Sequence, residues 1–158
     1  MSADPFDLTG RVVVITGGSG LLGLSHAQAI RSAGGTPVIL DIVAPGSAAM
    51  RPKLNFDVHY IRCNITVEAQ LKEVLAEILG RYQRHDVLIN NAANNPKVKV
   101  PGVLDGSRLE GYPIAQWDAD LAVGLAGAML LAGCSVRQWR FRAGGRTSNR
   151  SSRFPIQW

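Results

Sequence analysis

Short blocks of β-branched apolar residues alternate along the chain with longer stretches in which apolar residues recur every three or four positions. The first block, Val12-Val13-Val14-Ile15, predicts a strand from Arg11 to Ile15. Helical spacing follows from Gly20 to about Ala33, with Gly23, Ala27, Ile30 and Gly34 forming a small-residue face and Gly34-Gly35 the stop. Pro37 to Leu40 reads as a second strand, residues 43–55 as a loop with a short helix, and Asp57 to Ile61 as a third strand. Thr66 is a good N-cap for a helix that buries Val67, Leu71, Val74, Ile78 and Tyr82 and ends near Gly80. A fourth buried strand starts at Asp86 and runs into Asn90-Asn91-Ala92-Ala93, and a loop spans Asn94 to Tyr112. Helical spacing resumes at Pro113, with Trp117, Leu121, Gly124, Ala128 and Leu131 on one face.

Strands alternating with helices imply right-handed crossovers, a parallel sheet in spatial order 3-2-1-4, and a ligand at the carboxyl ends of the strands. The expected class is α/β, a truncated doubly wound Rossmann-type sheet. Residues 1–133 form its nucleotide-binding domain, and residues 134–158, where neither period continues, form an irregular basic tail. The abrupt change in composition near Cys134 is what an out-of-frame continuation of a longer gene would produce.

The chemistry concentrates at the first strand-to-helix junction, Thr16-Gly17-Gly18-Ser19-Gly20-Leu21-Leu22-Gly23. Glycines let the backbone turn tightly and approach an anion, and the first N–H groups of a helix have no partner within it. A strand, a turn of spacing Gly17-x-x-Gly20-x-x-Gly23 and a helix together predict a pyrophosphate site, and so a dinucleotide. Asp41 stands at the end of the second strand, 18 residues after the last glycine and so near the roughly 20 at which an acid bonds the ribose hydroxyls of NAD and repels the 2′-phosphate of NADP. NAD is therefore the expected cofactor.

Composition narrows the alternatives. A chain of 158 residues, 46% hydrophobic and 18% charged, suits one globular domain. Cys63 and Cys134 stand far apart outside any C-x-x-C, and His59 and Cys63 on a strand do not suit one metal, so neither a disulfide framework nor a metal site is expected. The acidic start lacks the features of a secretory signal, which favours the cytoplasm. The uncharged apolar run Leu121 to Val136 falls short of the roughly 18–20 residues that span a bilayer. The net charge of +5 arises in the tail, which holds six arginines and no acid, so the rest of the chain is near neutral. Binding of nucleic acid through that tail is the weakest of the functional readings.

In these motifs the chain resembles the short-chain dehydrogenase/reductase family. Leu8-Thr9-Gly10-Arg11-Val12-Val13-Val14-Ile15-Thr16-Gly17 matches the family's opening, Asp41 its NAD-selecting acid, Asn64-Ile65-Thr66 its adenine contact, and Asn90-Asn91-Ala92-Ala93 its Asn-Asn-Ala-Gly motif. The resemblance covers about residues 8–133, the first half of such an enzyme. It implies NAD-dependent alcohol or carbonyl oxidoreduction, with cofactor contacts from Gly17, Ser19, Gly20, Leu22, Gly23, Asp41, Ile42, Asn64, Ile65, Asn90, Ala92 and Ala93.

The sequence departs from the family in its glycine spacing, which is that of the extended branch, and in Asn64, where an aspartate is usual. It also departs in the catalytic machinery, where the family's serine after a fifth strand has no readable counterpart. Gly124 stands where the family's helix carries an asparagine of the catalytic tetrad. Tyr60, Tyr82 and Tyr112 are followed four residues later by Asn64, Asp86 and Gln116, so the sequence contains no Tyr-x-x-x-Lys. No catalytic residue is assigned. The expectation is an NAD-binding chain without turnover, or a non-catalytic nucleotide-binding module that pairs with itself through the apolar helix at 113–132.

Overall fold

A computed structural model describes residues 4–44, 56–94 and 112–144. Strand β1 (Val12–Thr16) is buried at every position. It lies between β2 (Thr36–Asp41) and β4 (Val87–Ile89), and β3 (His59–Arg62) pairs with the outer side of β2. All pairings are parallel, and the order β3-β2-β1-β4 is the expected one. The register sets Thr16 beside Leu40 and Asp41 beside Arg62.

Alternation along the strands divides the core into two layers, as both faces of a parallel sheet require. Val12, Val14, Val38 and Leu40 pack with Leu71, Val74, Leu75 and Ile78 of α2 (Glu68–Tyr82) and with Leu131. Val13, Ile15 and Ile39 pack with Ala27 and Ile30 of α1 (Leu21–Ser32). Gly23, Ala27 and Ile30 are the buried face of α1, as their spacing predicts, and Gly34 ends the helix with φ at +82°.

Three local expectations are corrected. Val67, not Thr66, is the N-cap residue of α2, and no side chain caps it. Asn64 Oδ1 instead accepts from both the N–H (3.0 Å) and the hydroxyl (2.8 Å) of Thr66, while Gln70 Oε1 accepts from Asn64 N–H. Val67 itself is exposed rather than buried. Strand β4 is half-exposed, because it forms an edge of the described sheet.

The third correction concerns the last helical rod: α3 (Ile114–Leu121), a π-helical segment (Ala122–Gly127) and α4 (Ala128–Gly144), which follow one another directly. On the face formed by Trp117, Leu121, Gly124, Ala128 and Leu131, Leu131 is buried together with Gly127 and Ser135 of the adjoining side, whereas Trp117, Leu121 and Gly124 are exposed. A Cβ at Gly127 would lie 2.8 Å from Ile65 Cγ1, so the absence of a side chain is what lets the rod close on the sheet layer. Residues 134–144, expected to be irregular, continue the helix, and Trp139 Nε1 donates to the backbone oxygen of His85 at 2.6 Å. By length and composition Ile114–Val136 is apolar enough to cross a membrane, a longer stretch than the uncharged run alone suggests. The remainder of the expected tail, residues 145–158, and the parts of the expected loops at 45–55 and 95–111 lie outside the described residues.

Candidate cofactor site

The carboxyl ends of the four strands bring together the turn after β1, Asp41 and Ile42 after β2, Asn64 after β3, and Asn90 to Ala93 after β4. The three glycines of the turn have different duties. Gly17 has φ of +61°, and a Cβ there would lie 2.8 Å from Ala92 Cα. Gly23 has the tightest packing, since its Cβ would lie 2.5 Å from both Gly17 O and Gly18 Cα. Gly20 differs: its φ of −74° suits any residue, and a Cβ would meet only Gly17 O at 3.3 Å. Gly20 is therefore the least enclosed of the three glycines. Gly18, absent from the sequence-based set, packs against Ile39.

Gly20 is also the N-cap of α1, with no side-chain cap and no acid in the first turn. Leu21 and Leu22 are exposed beside it. An uncapped helix start with the positive end of its dipole open suits a pyrophosphate.

Asp41 is built into the same turn. Its Oδ2 accepts from Ser19 N–H at 3.0 Å and from Ser19 Oγ at 2.5 Å, and its Oδ1 accepts from Val43 N–H at 3.1 Å. Tyr60 and Arg62 steady the following backbone by donating to Val43 O and Ile42 O. Burial and the neighbouring Asp41 charge raise the Tyr60 phenol above its ordinary value. Ile42 and Asn64 open onto a groove of about 770 Å³ that runs between β3 and α2 past Arg62 and Gln70. Ile65 is largely buried and packs against Gly127.

At the far end, Thr16 and Asn91 carry a load that the sequence reading did not assign. Thr16 Oγ1 accepts from Asn91 N–H and Ala92 N–H, both at 3.0 Å, and donates to Ile89 O at 3.4 Å. Asn91 Nδ2 donates to Thr16 O at 3.0 Å and Gly17 O at 3.1 Å. The Asn-Asn pair thus divides: Asn91 ties β4 to the glycine turn, while Asn90 and Ala93 remain exposed at the edge.

The described residues contain no metal-ligating cluster. Cys63 is buried, and burial pushes its thiol up to about 11, which suppresses the nucleophilic thiolate. The uncapped helix start, the free side of Gly20 and the anchored acid at Asp41 fit a dinucleotide.

Comparison with known proteins agrees with this geometry. A family model described as short chain dehydrogenase matches residues 11–154, a span that runs past Cys134. The chain is 28% identical over 154 residues to an NAD-dependent glycerol dehydrogenase of Listeria innocua, covering 96% of this chain and 56% of that protein. It is 28% identical over 137 residues to tropinone reductase-like 2 of Erythroxylum coca, covering 82% and 46%. Among solved structures, NADPH-dependent 3-quinuclidinone reductase from Rhodotorula rubra superposes with a TM-score of 0.67 at 27% identity, over 90% of this chain and 53% of that one. The chain spans about half the length of these relatives. Its sheet order, its glycine turn and its match over nearly the whole sequence make it a member of the short-chain dehydrogenase/reductase family.

Proposed function

We propose that this chain is the cofactor-binding half of an NAD-dependent oxidoreductase acting on small alcohols or carbonyl compounds. The observation that carries the reading is Asp41, a carboxylate held at the end of β2 by Ser19 and Val43. Such an acid accepts the ribose hydroxyls of NAD and repels the 2′-phosphate of NADP. The relatives include one named for NAD and one named for NADPH, so the choice made by this chain rests on its own residues. Gly17, Ser19, Gly20, Leu22 and Gly23 take the pyrophosphate side. Ile42, Asn64 and Ile65 take the adenine side, and Asn90, Ala92 and Ala93 the nicotinamide side.

Bound NAD supplies the hydride acceptor. The protein's part is to bind and orient it. The serine and Tyr-x-x-x-Lys pair that handle the substrate proton in the family have no counterpart in these 158 residues, so this chain by itself binds NAD without turning over substrate. Calorimetry with NAD and NADP, followed by a panel of alcohols with NAD and ketones with NADH, tests the division. Binding without a change in absorbance at 340 nm supports it, and turnover by this chain alone contradicts it.

Self-association belongs to the same reading. Ile114, Trp117, Leu121, Leu125 and Met129 are 72%, 50%, 40%, 64% and 66% exposed along one side of the terminal rod. A contiguous apolar stripe of this kind favours pairing with a second copy of the chain. Light scattering before and after Leu125→Glu reports it as loss of the dimer mass.

A further inference from the structure

Asn94, five residues past the end of β4, and Tyr112, two residues before α3, are both held by one carboxylate. Asp120 Oδ1 accepts from Asn94 Nδ2 at 3.0 Å and from Gln116 Nε2 at 2.8 Å, and Oδ2 accepts from the Tyr112 hydroxyl. Three donors from separate positions in the chain therefore converge on α3. Asn94 stands two residues after Ala92, whose N–H is bound by Thr16 Oγ1 and whose Cα closes on Gly17. The backbone from Ala92 to Asn94 is thus fastened to β1 at one end and to α3 at the other.

We propose that Asp120 is a positioning residue for the cofactor site, fastening Asn94 so that Ala92 and Ala93 are held at the carboxyl end of β4. This rests on the dinucleotide reading above. Hydrogen bonds to an ionised carboxylate are stronger than neutral ones, and here they restrain a segment that strand pairing no longer holds. The bond from Tyr112 holds the Asp120 carboxyl below its ordinary value, with Gln116 and Asn94 acting in the same direction. The same bond raises the Tyr112 phenol.

The test compares the native chain with Asp120→Ala, Asp120→Asn and Asn94→Ala, using NAD calorimetry and the alkaline absorbance titration of tyrosine. Tyr112→Phe identifies the Tyr112 step. Loss of one charge-assisted bond predicts about tenfold weaker NAD binding in Asp120→Ala and Asn94→Ala. Asp120→Asn, which keeps one acceptor oxygen, recovers part of the loss. In both Asp120 variants the Tyr112 step moves down toward the ordinary tyrosine value. Because Asn94 is exposed, its variant tests positioning without disturbing the core. Unchanged NAD affinity in Asp120→Ala and Asn94→Ala overturns the positioning role alone. An unmoved Tyr112 step overturns the clasp itself. Absence of NAD binding by the native chain overturns the cofactor reading and the positioning role together.

Discussion

Asp41 Oδ2 lies 2.5 Å from Ser19 Oγ and 3.0 Å from Ser19 N, so the acid that ends β2 and the turn that follows β1 form one hydrogen-bonded unit. The carboxylate is preorganised at the edge where a ribose would meet it. Ser19→Ala removes the hydroxyl donor and leaves the backbone donor and the charge. It is expected to lower stability by about 1 kcal/mol while preserving the preference for NAD over NADP. Denaturant unfolding and calorimetry with both cofactors check the two parts.

The glycines separate packing from binding. Gly23→Ala places a Cβ 2.5 Å from two backbone atoms, so overpacking is expected to cost about 1–3 kcal/mol, read as a lower thermal midpoint. Gly20→Ala adds its methyl at an allowed φ with one contact at 3.3 Å. Its midpoint should match the native one while NAD affinity falls. Equal loss of stability in the two variants would contradict the division.

Thr16 is 1% exposed, and its hydroxyl is the acceptor for two consecutive N–H groups. Thr16→Val keeps the shape and removes that acceptor, which is expected to destabilise the fold by about 2–3 kcal/mol. Thr16→Ser retains the oxygen and should recover most of the difference in urea unfolding.

His85 is 1% exposed, and among the described residues neither ring nitrogen meets a hydrogen-bond partner of good geometry. Burial pushes its pKa below the ordinary 6.5, against the smaller opposing effects of the Val87 backbone and the Asp86 charge. The unfolded chain then takes up a proton at a pH where the folded chain does not. Stability is present above about 6.5 and is lost as the pH falls below it. Unfolding followed by tryptophan fluorescence between pH 7 and 5 should show this decline, since the Trp139 ring lies against His85, tilted by 51° with centroids 5.5 Å apart. His85→Phe should flatten it.

What the sequence disclosed was local. Strand order and the glycine-to-aspartate spacing follow from alternation and from turn chemistry within single crossovers. The packed side of the terminal rod is not legible from hydropathy, because Gly127, Leu131, Ser135 and Trp139 repeat every four residues with only Leu131 and Trp139 apolar and large. The exposed face, from Ile114 through Trp117 to Met129, is the more hydrophobic one. Only contact with Ile65 and His85 reveals which side packs. Asn91 was visible as part of a motif, but its bonds to Thr16 and Gly17 depend on the pairing of β4 with β1, which brings together residues more than 70 positions apart. Asp120 gave no signal at all, since its partners come from both sides of residues 95–111.

On the proposed reading, Asp41 is the residue that selects NAD. Titration calorimetry of the native chain and of Asp41→Ala with NAD and NADP tests it most directly. The native chain should bind NAD at least tenfold more tightly than NADP, and Asp41→Ala should lose NAD affinity and narrow the gap, because both the ribose acceptor and the repulsion of the 2′-phosphate disappear. Tighter binding of NADP than NAD by the native chain, or the same ratio in Asp41→Ala, would contradict the account.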